Sequence, residues 1–319
     1  MSDMPHLLIP LAASPAQGCQ QALEGLELPQ LDRLLARLSS TGLDAGAETD
    51  FAPPHERALA RHHGLPATSE GTTPWAAWHQ HQQVSAPHAA TSAWAFITPC
   101  HWQVGADHVT LGDPARLQLD EAASRALLAI VAPWFAEDGI TLTYDQPTRW
   151  VAQGAVFDNL PTASLDRVIQ RDVRAWMPDP ARARLLHRLH SEMQMLLYTH
   201  PFNDARGAQG LPAVNSFWVH GTGALPADLT TPAQPPQVAD ALRAPALRED
   251  WRAWASAWTA LDAGPVAALL RQAEQGQPVR LTLSGEHSAQ SFHTAPLGLV
   301  QRIQRFLRPQ RFMDVREQL

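Results

Sequence analysis

Strand-like and helix-like runs interleave from one end of this 319-residue chain to the other, and that alternation narrows the choice of fold more than any other feature. Strands separated by helices pair most readily in a sheet with helices laid on its faces. Strands are expected at 6–10, 93–98, 107–111, 140–144, 149–151, 214–219, 279–283 and 288–292. Helices are expected at 28–38, 53–60, 120–135, 247–261 and 265–275, with a long one after Pro180 running to Tyr198 and another closing the chain. Each has a local reason. Ala93-Trp-Ala-Phe-Ile-Thr98 alternates as a strand does, and Asp107–Leu111 reads as its hairpin partner. Residues 28–38 space their leucines helically, with Pro29 suited to a first turn. Asp120 can cap the helix that follows it, and Trp251, Trp254 and Trp258 form an apolar stripe expected to be buried. Residues 67–92 read as loop apart from Trp75-Ala-Ala-Trp78, and the four prolines of 225–237 mark a linker.

Charge removes several function classes. All 24 basic residues are arginine, so no P-loop lysine, Schiff-base lysine or kinase-type ATP lysine exists. The net charge is −7 with no basic run, which argues against nucleic acid as a partner. No apolar run approaches the ~18–20 residues of a membrane span, so no membrane partner is expected. Met1-Ser-Asp-Met-Pro5 has no basic residue ahead of its short apolar stretch, so no secretory leader is expected and the location is read as cytoplasmic. Cys19 and Cys100 are too few for a disulfide framework or a cysteine zinc site.

Three segments hold residues able to do chemistry. Around Thr98–His108, His101, Asp107 and His108 offer imidazole and carboxylate ligands suited to zinc, iron or manganese, although adjacent Asp107 and His108 would point to opposite faces of a strand. His187 and His190 share a helix face at i, i+3, where a solvated face is the simpler reading. The third segment places His200, Asn203 and Arg206 after the long helix, and Asn215 and His220 along a strand. Arginine can grip carboxylate or phosphate bidentately and asparagine can position oxygens; equally, these side chains can cap and stitch a turn. No GxSxG, GxGxxG, CxxC or HExxH pattern is present.

HPFNDARGAQGLPAVNSFWVHGTGALP (200–226) resembles the HPxNxxR…PAN…G region of archaeal-type cofactor-independent phosphoglycerate mutases, members of the alkaline-phosphatase superfamily. TPCHWQVGADHVTL (98–111) and the segment 119–153 are similar to a strand pair and a helix–strand–strand of that family's inserted subdomain. LELPQLDRLLARL (26–38) is similar to its amino-terminal TPNLDxLA helix, and the whole resembles bacterial regulatory proteins of the RpfE type. The resemblance implies an α/β fold whose core sheet, flanked by helices, comes from 1–98 and 198–319, with 99–197 as an inserted α+β subdomain. His200, Asn203, Arg206 and Asn215 match the family's motif positions, and His220 follows them.

The resemblance also implies an aspartate at the end of the first strand that binds metal, yet Leu8-Ile-Pro-Leu-Ala-Ala13 stands there. The family's later ligands have no clear counterpart either; SGEHSAQSFH (284–293) offers His287 and His293 without an aspartate. The expectation is therefore a degenerate, non-catalytic relative that binds a small phosphorylated or carboxylated metabolite, or a protein partner, without a cofactor. The alternative is a metal-dependent phosphotransferase with a rebuilt histidine site carrying zinc or manganese.

Overall fold

The computed structural model describes residues 4–83, 92–227, 229, 235–295 and 310–319. The strands run in the order β1 (His6–Ile9), β2 (Ser39–Ala45), β3 (Trp94–Cys100), β4 (Trp102–Val104), β5 (Val109–Leu111), β6 (Thr141–Gln146), β7 (Arg149–Gln153), β8 (Ser216–Gly223), β9 (Gln237–Val238), β10 (Arg280–Ser284) and β11 (Ser288–His293). Helices are interspersed among them, so the architecture is mixed α/β, with sheets flanked by helices. The chain divides into two compact units: Met1–Thr49, Pro53–Gly64 and Thr231–Leu319 form unit 1, and Asp50–Ala52 and Leu65–Thr230 form unit 2. The expected boundaries near 98 and 198 thus fall inside unit 2. The reason is pairing, because β3 bonds to β7 and β8 along its length and cannot be parted from them.

Unit 1 is built on a five-stranded sheet ordered β2-β11-β10-β1-β9. β1 lies parallel to both β9 and β10, while β11 runs antiparallel to β10 and to β2. Leu7, Ile9, Leu281, Leu283 and Phe292 face a core completed by helices Gln17–Glu24, Pro29–Leu35, Trp251–Leu261 and Ala267–Glu274. The expected helix 247–261 is interrupted: Glu249 takes a left-handed φ of 54°, and Asp250 then caps a new helix by accepting from Ala253 N at 3.0 Å. Trp254 and Trp258 are fully buried, as the stripe predicts, and Trp251 is half-buried. Of the closing segment, 296–309 lie outside the described residues, and Phe312–Val315 forms a short helix.

Helix Pro29–Leu35 has Leu28 at its N-cap, which offers no side-chain acceptor. The missing cap comes from far along the chain. Asp262 Oδ1 accepts from Leu31 N at 2.8 Å and Oδ2 accepts from Gln30 N at 3.2 Å. That carboxylate is buried, so removing it strands amides with no water to replace it.

Unit 2 holds a four-stranded antiparallel sheet, ordered β6-β7-β3-β8, and the ribbon β4-β5. Helices Glu121–Glu137, capped by Asp120, and Arg184–Tyr198 close its main core against Ile97, Phe217 and Val219. Trp75–Gln83, expected only as an interruption in a loop, forms a helix whose Ala76 packs against Phe96 and Val151. The pairing expected between 93–98 and 107–111 is not formed. Gly105 N bonds to His108 O at 2.9 Å, and a turn that tight joins only its immediate flanks, so β5 meets β4. The long helix ends as expected, but His200 then caps a second helix, Pro201–Ala208.

Replacing Asp262 by Ala is expected to lower the unfolding free energy by about 1–3 kcal/mol. Glu274, which pairs with Arg33 and Arg37 at the surface, should lose about 1 kcal/mol or less on the same replacement. Urea unfolding of both variants checks this, and equal losses would remove the special role of the buried cap.

Candidate functional site

In the segment 200–220, His200, Asn203, Arg206, Asn215 and His220 each have a hydrogen-bond partner. His200 Nδ1 accepts from Phe202 N at 3.1 Å, capping the helix that Pro201 begins. Asn203 donates to the carbonyls of Leu197 and Val214, both at 2.8 Å, while its Oδ1 accepts from Val214 N at 2.9 Å. Asn215 bridges in the same manner, accepting from Trp102 N at 2.7 Å and donating to Trp102 O at 2.9 Å. Arg206 is buried, with Nε on Pro212 O at 2.9 Å and a terminal nitrogen on Leu117 O at 2.5 Å. Burial lowers the guanidinium's pKa. His220 Nε2 lies 3.1 Å from Thr98 Oγ1, and its ring packs on Phe96. The structure therefore brings Asn203, Arg206 and Asn215 to one place, where they join the helix 201–208, the strand β8 and the turn at Trp102. Their hydrogen bonds go to backbone.

The turn after β3 places its candidate ligands apart. His101 Nδ1 lies 2.9 Å from Ala213 O, so that ring stitches the same junction. Asp107 and His108 sit on the exposed turn, paired with each other at 2.7 Å. The hydrogen bond from His108 holds the Asp107 carboxyl below its usual range. Of the other histidines in this region, His79 shares Asp145 with Arg149, at 2.9 and 2.7 Å. Burial pushes the Asp145 carboxyl up, but the hydrogen bonds from His79 and Arg149 outweigh it and leave the group lowered. Among the described residues no group of three or more His, Cys, Asp or Glu is placed to hold a metal ion. Both cysteines are buried free thiols, and burial raises the pKa of each.

The pair expected on one helix face is split. His187 Nε2 lies 2.9 Å from Pro178 O, whereas His190 is buried between Trp102 and Phe217, with ring centroids 5.0 and 4.2 Å away. Its Nδ1 is 3.2 Å from Ser216 Oγ, and burial, helped by His187, drives its pKa to about 3. Heptad-like spacing of Leu186, Leu189, Met193 and Leu197 places His190 beside the apolar stripe, which is the signal that could have found it.

The carboxyl end of β1, where the sequence resemblance implies a metal-binding aspartate, is closed by indoles. Leu11 takes a left-handed φ of 52°. Trp254 Nε1 donates to Leu11 O at 3.0 Å and Trp258 Nε1 to Ala12 O at 3.1 Å, while Ala12 N bonds to Ser284 O at 2.7 Å. The residues present do not fit a divalent metal: residues 8–13 carry no carboxylate, and although Glu286 accepts from Ser14 Oγ at 3.1 Å, no three His, Cys, Asp or Glu among the described residues are placed to hold an ion.

No protein-family model and no curated protein matches the chain. Among solved structures it is similar to a cofactor-independent phosphoglycerate mutase from Thermoplasma acidophilum DSM 1728, at 13% identity and a TM-score of 0.36, over 92% of this chain and 91% of that one. It is similar also to the PH0037 protein from Pyrococcus horikoshii, at 13% identity and a TM-score of 0.37, over 95% of this chain and 90% of that one. Likenesses this weak assign neither a family nor an activity.

A buried imidazole whose folded pKa lies below its unfolded value of about 6.5 stabilises the fold fully above pH 6.5. That stability is lost as pH falls towards the folded value of about 3. Thermal melts between pH 7 and pH 4 should therefore show stability falling, with His190 contributing up to about 1.4 kcal/mol per pH unit. A His190→Gln variant should show a flatter profile, and one as steep as the parent's would contradict the assignment. Arg206→Ala is expected to cost about 2–3 kcal/mol of stability through the carbonyls it leaves without a donor.

Proposed function

We propose that this chain is a catalytically degenerate phosphoglycerate-mutase-like protein, of the RpfE regulatory type, which binds a small anion without turning it over. The reading rests on the sequence resemblance, and the observation that carries it is the closed end of β1. A two-metal phosphoryl-transfer site needs carboxylates and imidazoles converging on the phosphate, to neutralise its oxygens and activate a nucleophile. Here that end of the strand is Pro10-Leu11-Ala12, and the carbonyl oxygens of Leu11 and Ala12 are taken by Trp254 and Trp258. Binding needs far less than this. Arginine and neutral donors suffice to hold an anion, and occupancy alone stabilises whichever conformation binds it better.

The test is turnover with metal supplied. Untagged protein, dialysed without chelator, should contain well under one equivalent of zinc or manganese by plasma mass spectrometry. With manganese or zinc added, it should not interconvert 3- and 2-phosphoglycerate or hydrolyse phosphate esters. Saturable turnover that a chelator abolishes would overturn the reading and favour a rebuilt metal site.

A further inference from the structure

The unit 1 sheet has a second face, which carries polar residues towards the amino ends of β1 and β10. Along β10 the alternation of a strand sends Leu281 and Leu283 to the apolar core and leaves Arg280 and Thr282 on the other side. Register brings their neighbours alongside: His6 of β1 pairs with Arg280, and Ser291 of β11 pairs with Thr282. Helix Pro54–His62 lies over this face and contributes Arg61 and His62. Between helix and sheet is a groove of about 510 Å³.

Charge in the groove runs against that of the chain. Of the residues lining it, Arg61 and Arg280 are cationic and Asp44 is the one carboxylate. Asp44 is already committed, to Arg61 at 2.7 Å and to Arg57 at 3.1 Å. The Arg280 guanidinium has no hydrogen-bond or ion-pair partner among the described residues and is exposed. Burial, with added repulsion from Arg280 and His62, holds His6 down at a pKa of about 3, so its ring is neutral. In a chain of net charge −7, such a concavity attracts anions.

The floor supplies neutral donors. His6 Nε2 lies 2.9 Å from Thr282 Oγ1, which lies 2.9 Å from Ser291 Oγ. His6 Nδ1 is buried without a partner, so its ring proton belongs on Nε2, where an acceptor exists. Nε2–H then donates to Thr282 and the Thr282 hydroxyl to Ser291. The Ser291 proton is left to turn into the groove.

We propose that this groove binds a small tetrahedral oxyanion, the phosphate of a monoester or free phosphate, with Arg280 as its main ion partner and Arg61 and the Ser291 hydroxyl as flanking donors. Donors arrive from both the sheet and the helix, which suits oxygens pointing in several directions. The groove lies at the amino ends of β1 and β10, away from the closed carboxyl end of β1. The proposal gives the anion-binding reading above a site, and it rests on that reading for its biological sense.

Isothermal titration of the full chain with inorganic phosphate, against chloride at matched ionic strength, tests it. Saturable binding is expected, weakened about tenfold or more in Arg280→Gln and a few-fold in Ser291→Ala. Arg33→Gln, which alters an exposed ion pair with Glu274, should bind as the parent does. Arg280 is exposed, so its variant should melt as the parent does, and a lowered melt would be resolved by Arg280→Lys, which keeps the charge and should recover part of the affinity. Binding that Arg280→Gln leaves intact would overturn the groove while sparing the anion-binding reading. No saturable binding of phosphate would overturn both.

Discussion

Unit 1 depends on one backbone constraint: its first strand has no partner of its own neighbourhood. β1 lies between β9 and β10, so its ladder is completed by residues 237–238 and 280–283. Leu7, Leu8 and Ile9 are buried, and unpaired amides there would have no water to turn to. The amino end of the chain cannot settle until the carboxyl-terminal part arrives. The same long-range logic recurs in the Asp262 carboxylate that caps helix Pro29–Leu35, and in the tryptophans that hold Leu11 and Ala12. Long-range closure of this kind slows folding relative to local helix pairs.

That constraint shapes what each part can do chemically. Tryptophan side chains that secure the turn after β1 also consume the carbonyls at the carboxyl end of the strand. In unit 2, Arg206, Asn203 and Asn215 secure the junction of helix 201–208 with β8. Both places draw the eye in the sequence, and both are spent on holding the backbone. The polar face of the unit 1 sheet differs, because Arg280 there answers to no internal carboxylate or carbonyl among the described residues.

The elements with a strong local signal were legible in the sequence. Leucine spacing in 28–38 and 184–198, the Asp120 cap and the tryptophan stripe each depend on neighbours within a few residues. Pairing was not legible in that way. The alternation at 93–98 says strand, but whether it meets 107–111 or 216–223 is decided by a turn and by burial across the sheet. The polar cluster at 200–215 was visible as a cluster, yet the carbonyls it bonds, such as Leu117 O, lie far away in sequence. For the groove, the alternation Arg-Leu-Thr-Leu of β10 was a readable sign of a two-sided strand, whereas nothing local in the helix expected at 53–60 said which face it would cover.

In the proposed arrangement the anion is held on the polar sheet face of unit 1 and not by the 200–215 segment. Hydrogen–deuterium exchange with and without inorganic phosphate tests it most directly. Added protection is expected to be confined to β1, β10, β11 and helix 54–62, with exchange at 200–215 unchanged. Protection concentrated at 200–215 would contradict it.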